Sequence, residues 1–414
     1  MMKWLSGVLV LLLPFHVVQA QTALTLEQAL NEARLNNPGL MASANLAKAE
    51  GLGLWSVIVP ANPEVFFEEE GIPRSGSIDD WGARKLGFVQ SIKLPTAYWL
   101  EGRKQNAHAR AAMAMHNVAE NWVIAEVKKN FYSVVAAQER VALHEDMRRW
   151  AAINLEKARI RVLAGETPAL DSLRAKLQLT EAENRLMTFT QNTQLEQQAL
   201  AVLLGRQGRR LPIIQADLSL SAPHYSREEI IQKAMAAHPL LVAQKARKAA
   251  QSAGLGLAWH QLIPSFSVKY FHREFRGPGQ ADDRGFEIGA SLPLWALFRD
   301  QSEIRAARAR LKAEEWKGQA VRNELILTID GHLSQLQQAE HIAKRYETGA
   351  LTEAEELARV TTRAYEAGEL GYLEMIDALG TLARVKGEYL HAKLAVLKAR
   401  ANLELAAGTA LFTW

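Results

Sequence analysis

The apolar positions of this chain change period twice, and the same two changes occur again about two hundred residues later. TLEQALNEARLNNPGL at 25–40 has helical spacing and runs into Pro38; SREEIIQKAMAAHPLL at 226–241 repeats the pattern and runs into Pro239. GLGLW at 51–55 returns as GLGLAW at 254–259, and each leads to a proline, Pro60 or Pro264. Alternation then takes over. PEVFFEEE at 63–70 and KLGFVQSIKLP at 85–95 read as paired strands, with Leu86, Phe88, Ile92 and Leu94 on one face and Lys85, Gly87, Ser91 and Lys93 on the other. PSFSVKYFHREF at 264–275 and GFEIGASLPLW at 285–295 form the second pair.

Helical spacing then returns over long stretches, from about Tyr98 to Leu163 and from about Arg299 to Glu366, each long enough to extend about 100 Å. Ile304, Ala307, Leu311, Val321, Leu325, Ile329, Leu333 and Leu336 form a narrow apolar stripe like that of a coiled coil. Return helices are expected from about Ala169 to Leu204 and from Leu370 to Ala407, the last with a stripe of Leu373, Ile376, Leu379, Ala383, Leu390, Leu394, Leu397 and Ala401. The mature chain is therefore a duplicated unit of two short helices, a β-hairpin and a long helical hairpin. The first copy covers 21–206 and the second 226–414, with 207–225 as the connector.

Lys3 followed by an apolar run from Trp4 to Val18 and the small residues of VQA predicts a secretory signal peptide over 1–20. With no cysteine, the chain has no disulfide, no thiolate ligand and no lipid-acylated amino-terminal cysteine, so no lipid anchor is expected. The 49 basic and 45 acidic side chains are interspersed along the chain, which excludes a nucleic-acid footprint. No phosphate loop, nucleophile elbow or dinucleotide fingerprint is present, so neither an enzyme nor a cofactor is expected. His108 and His116 lie near Met113 and Met115, without the spacing of a metal site.

Four strands are too few to close on themselves in a bilayer, where every backbone polar group has to be paired. Trp55, Trp259, Tyr98, Trp99, Trp295 and Phe298 all sit on the helix side of the hairpins, where an aromatic girdle would meet one membrane interface. AYEAGELGYLEMIDA at 364–378 has a near copy in RVLAGETPALDSLRA at 161–175. Glu374 and Asp377 share one helix face, and threefold symmetry would gather six such carboxylates around an axis. The first copy has Asp171 opposite Glu374 but Arg174 opposite Asp377.

Taken together, these features resemble the TolC-type outer-membrane efflux channels over essentially the whole mature chain. NPEVFFEEE at 62–70 and FVQSIKLPTAYWLEGRKQNAHA at 88–109, with Gln90, Ile92, Pro95, Arg103 and Ala107, are most similar to the outer-membrane components of heavy-metal efflux systems. The resemblance implies a mainly α fold with a membrane β-barrel portion: a homotrimer with a twelve-stranded barrel in outer-membrane lipid of a Gram-negative bacterium and a helical tunnel in the periplasm. It implies a passive duct for heavy-metal cations, fed by an inner-membrane RND-type pump through a periplasmic adaptor. Drug efflux, type I secretion and a periplasmic coiled-coil adaptor are the alternatives. By position, Tyr365, Glu374 and Asp377 match the family's periplasmic gate, with Glu in place of Asp at 374 and Leu370 in place of an arginine that links helices in some relatives. Ala164, Gly165 and Glu166 and Ala367, Gly368 and Glu369 match the tips that dock the adaptor.

Overall fold

The computed structural model describes residues 23–414 apart from 73, 75, 78, 207–210, 213, 219–224, 278 and 295–298. The signal-peptide segment 1–20, Trp295, Phe298 and part of the connector lie outside the described residues. Each copy opens with a short helix, α1 (Leu26–Asn36) or α5 (Arg227–Ala237), followed by α2 (Pro38–Ile58) or α6 (Pro239–His260). Both short helices begin with a capping box, Thr25 with Gln28 and Ser226 with Glu229.

The strands are β1 (Glu64–Glu70), β2 (Ala83–Ile92), β3 (Ser265–Phe275) and β4 (Asp283–Ser291). They form one antiparallel sheet in the order β1-β2-β3-β4, so the two hairpins are joined by β2 against β3, with Ala83 opposite Phe275 and Ile92 opposite Phe266. The sequence carries β2 on to Pro95, but the strand stops at Ile92. Pro95 instead takes the first position of a helix, where a missing N–H costs nothing. β4 likewise stops at Ser291, four residues short of the expected end and just before Pro293, which has no N–H to donate to a ladder.

The long helices are α3 (Pro95–Leu163), returning as α4 (Ala169–Leu203), and α7 (Arg299–Arg345), which continues through one π-helical turn (Tyr346–Ala350) into α8 (Leu351–Glu366) and returns as α9 (Tyr372–Ala407). Of the expected α7 stripe, Ile304, Ala307, Leu325, Ile329 and Leu336 are buried. On α9 the stripe begins at the wrong place: Leu373 is 58% exposed and Tyr372 and Met375 face inward instead, whereas the expected Leu379 is buried. The helix starts at Tyr372 rather than Leu370, and its first turn is oriented by the ring packing of Tyr372.

Equivalent joints close the two copies. Asn37 caps α2 by accepting from the Leu40 N–H at 3.1 Å and donates to the Leu203 carbonyl at 2.9 Å. His238 takes the same place in the second copy, accepting at Nδ1 from the Leu240 N–H at 3.1 Å and donating to the Leu405 carbonyl. Beneath each joint the return helix ends at a glycine in the left-handed region, Gly205 (φ 73°) or Gly408 (φ 69°). A side chain at Gly408 would run into the His238 ring. One cluster packs Ala29 and Ala33 of α1 with Val127, Phe131 and Val134 of α3 and Leu200 of α4; its counterpart packs Ile230 and Ala234 of α5 with Leu325 and Ile329 of α7 and Val396 and Leu403 of α9.

An ion pair ties the halves together. Lys128 of α3 meets Glu404 of α9, and both side chains are only 7% exposed. The other carboxylate oxygen of Glu404 accepts from the N–H groups of Leu411 and Phe412, each at 2.9 Å, and from the Trp414 indole at 3.1 Å. Lys128 also lies 4.4 Å from the centre of the Trp414 ring. Burial pushes the Lys128 amine below its ordinary range, and Glu404 opposes that shift.

Replacing Glu404 with leucine strands a buried ammonium and three donors, so a loss of about 3–5 kcal/mol in unfolding free energy is expected from denaturant titration. His238 makes stability pH-dependent in a definite direction. Burial holds its imidazole below the ordinary range, whereas the unfolded chain takes up a proton near pH 6.5. Stability present above that pH is therefore lost as pH falls below it. Thermal melts between pH 8 and 5 are expected to show a smaller acid-side fall for His238→Asn, which copies the cap the first repeat already uses.

Candidate functional site

The two hairpin tips are built alike from their sequence. At the first, Gly165 takes φ 74°, its N–H bonds to the Val162 carbonyl and the Glu166 N–H to the Arg161 carbonyl. At the second, Gly368 takes φ 80°, its N–H bonds to the Tyr365 carbonyl and the Glu369 N–H to the Ala364 carbonyl. Both are Schellman endings, which place a left-handed residue directly after the helix and favour glycine there. Ala164, Gly165, Glu166, Ala367, Gly368 and Glu369 are all exposed, so both turns present a small, backbone-rich surface.

Glu374 and Asp377 stand on the exposed side of α9, opposite the buried face made by Tyr372, Met375 and Leu379. Glu374 occupies the first turn, where a carboxylate also complements the helix dipole, and it folds back over Gly371. Asp171 holds the equivalent first-turn position on α4 and lies 3.6 Å from Arg174, so the first copy neutralises the charge that the second leaves open.

Tyr365 is not brought together with these carboxylates. It is buried between the hairpins, its ring centre 5.9 Å from that of Tyr372 and packed with Leu155, Ala158 and Ala175. The Arg161 guanidinium sits over the Tyr365 ring at 5.1 Å and donates to its carbonyl at 3.5 Å. Lys157 pairs with Glu366 at 3.1 Å, so a second link joins the end of α3 to the end of α8. The Tyr372 hydroxyl is buried without a hydrogen-bond partner among the described residues. Burial, reinforced by Tyr365 and Asp171, raises its pKa to about 12.

Lys157, Arg161 and Tyr372 are absent from the sequence-based set of gate residues. Their signal was the divergence of the repeat, since Arg161 and Val162 stand where the second copy has Ala364 and Tyr365. The aromatic residues next to the strands are placed as follows. Trp55 and Trp259 occupy the last turns of α2 and α6, and Tyr98 and Trp99 the first turn of α3; the three tryptophans are exposed. Trp99 carries Arg103 at 4.7 Å, and Tyr98 carries Lys93 at 5.7 Å. His116 bonds to Ser43 at 2.8 Å, and among the described residues no group of three His, Asp or Glu side chains is arranged to hold a metal. No described helix is long and apolar enough to cross a membrane.

Residues 230–409 match the family described as outer membrane efflux protein. The cobalt-zinc-cadmium resistance protein CzcC of Cupriavidus metallidurans is 26% identical over 389 residues, which cover 92% of this chain and 88% of that protein. The chain is a homologue of that resistance protein, and its second half matches the efflux-protein family. The fold is that of solved outer membrane channels. The chain superimposes on the Campylobacter jejuni CmeC outer membrane channel with a TM-score of 0.78 at 14% identity, over 92% of this chain and 85% of that one. The open state of the Neisseria gonorrhoeae MtrE outer membrane channel gives 0.78 at 16% identity over 93% and 89% of the two chains. CusC gives 0.77 at 14% identity over 94% and 93%.

A left-handed backbone at Gly368 makes a specific demand on the second hairpin tip. Valine at that position is expected to cost about 1–2 kcal/mol. Hydrogen exchange should then speed up at Glu369 and Leu370, whose N–H groups both bond to the Ala364 carbonyl.

Proposed function

We propose that the protein is the outer-membrane duct of a tripartite efflux system and that its cargo is divalent transition-metal cations, delivered by an inner-membrane RND-type pump through a periplasmic adaptor. The observation that carries this reading is the sheet. Its two outer strands have no further partner among the described residues, and its faces differ in kind. One face presents Val65, Phe88, Tyr270 and Phe286 in a row, while the other presents Glu68, Lys85, Arg273 and Asp283. Such a sheet needs further copies to close and lipid to cover its apolar face. A homotrimer supplying twelve strands meets both needs, with the exposed tryptophans at its periplasmic rim. The cargo class rests on the full-length likeness to a cobalt-zinc-cadmium resistance protein.

Within this reading the tips at 164–166 and 367–369 dock the adaptor, and Glu374 with Asp377 rings the narrow end of the tunnel. Tyr365, Arg161, Lys157 and Glu366 hold neighbouring hairpins together just above it. Six carboxylates crowded around an axis concentrate cations and repel anions. The location is tested by recovering the protein in the outer-membrane fraction as a detergent-resistant trimer, and the cargo by cobalt, zinc and cadmium export in cells that also carry the pump and adaptor. A stable monomer without β-structure in lipid would refute the duct.

The ring itself is tested by Glu374→Gln with Asp377→Asn, which removes charge with little change of volume. In planar bilayers the double variant is expected to lose cation selectivity and become less sensitive to block by multivalent cations. Asp171→Asn, whose carboxylate is paired with Arg174, is expected to retain both. Wild-type selectivity in the double variant would move the constriction elsewhere.

A further inference from the structure

The charged face of the sheet contains one row made only of phenylalanine and glycine. Phe66 is opposite Gly87, Gly87 opposite Phe271, and Phe271 opposite Gly285, so a single level of the sheet reads Phe-Gly-Phe-Gly across all four strands. The rows on either side are polar: Glu68, Lys85, Arg273 and Asp283 on one, Glu64, Val89, Lys269 and Glu287 on the other. Strand alternation places all three rows on the face opposite the apolar one.

Each phenylalanine lies down over the glycine of the next strand. A Cβ built on Gly87 would come within 2.7 Å of the Phe66 ring, and one built on Gly285 would fall into the Phe271 ring. The rings are pinned in that pose by cations. Lys269 stands 4.1 Å from the centre of Phe66 and 5.9 Å from that of Phe271, and Lys85 stands 6.0 Å from Phe271. A ring covering a bare glycine strengthens a sheet, as aromatic side chains do elsewhere beside strand glycines. It also keeps a large side chain flat against the wall rather than standing out from it.

We propose that this row is an aromatic annulus on the inner wall of the duct, and that Gly87 and Gly285 set the clearance at that level by giving Phe66 and Phe271 a place to lie. The proposal rests on the barrel reading above. It makes the four residues determinants of the size of molecule that passes the barrel, separate from the carboxylate ring at the opposite end. Gly87 is a poor site for a test, because a side chain there would also strike the Tyr270 carbonyl. Gly285 is the better one, since the nearest atoms a side chain there would meet all belong to the Phe271 ring.

The chain has no cysteine, so one introduced cysteine reports one place. Ser267 lies on the same face as the annulus and nearer the helices, and Ile288 lies on the opposite face. In intact cells, Ser267→Cys is expected to react with membrane-impermeant maleimide–polyethylene glycol added from outside, and Ile288→Cys is not. Adding Gly285→Val to Ser267→Cys should slow labelling by the larger reagents severalfold, and adding Phe271→Ala as well should restore it. Phe271→Ala without the valine should admit larger reagents than the parent, which keeps the test decisive if the valine variant fails to assemble.

Unchanged size dependence in Gly285→Val, no recovery with Phe271→Ala, or no widening by Phe271→Ala alone would each overturn the annulus. So would labelling of Ile288→Cys in place of Ser267→Cys. Failure of the barrel reading looks different, since the parent protein would then be missing from the outer-membrane fraction.

Discussion

Everything in this chain is arranged around a sheet that cannot be completed by the chain itself. β1 and β4 each leave a row of backbone donors and acceptors without a partner among the described residues, and the apolar face leaves Val65, Phe67, Leu86, Phe286 and Ile288 exposed. In water that combination invites uncontrolled edge pairing. In hydrocarbon each open polar group costs several kcal/mol. Both problems disappear in the proposed duct, where other copies extend the sheet until it closes, and that assembly would rest on the hydrogen bonds of two strand edges.

The rest of the fold holds those strands in register. The β2–β3 ladder joins one copy of the repeat to the other, and the helices that follow have to keep the two copies aligned over a long lever arm. Two devices serve that purpose. The equivalent caps Asn37 and His238 lock each short helix pair onto the end of its own return helix. The buried Lys128–Glu404 pair then ties α3 of the first copy to α9 of the second and gathers the Leu411, Phe412 and Trp414 donors on one carboxylate. A single buried carboxylate with so many donors fixes one geometry, because any other arrangement leaves a charge or a donor unpaired.

At the far end the two hairpins diverge in sequence where they touch each other. Arg161 and Tyr365 face one another across the halves, while the carboxylates Glu374 and Asp377 turn away from that contact. The structure thus separates two groups of side chains that one short stretch of sequence combines. The aromatic side holds hairpins together, and the acidic side is left exposed.

Periodicity alone determined the order of elements, because a strand with one covered face alternates and a packed helix repeats every three or four residues, whatever its partners are. The duplication, the glycine tips and the shared face of Glu374 and Asp377 were legible for the same reason: each depends on residues close together in the chain. Tertiary structure decided what depends on contacts between distant segments. Tyr372 rather than Leu373 turns inward on α9 because Tyr365 is there to receive it, and Lys128 finds Glu404 only after two helices have packed. The Phe-Gly row exists only in the register of β2 with β3, since a slip of one residue would carry Phe271 to the apolar side. Spacing along a chain cannot encode that register; hydrogen bonds between strands from different halves do.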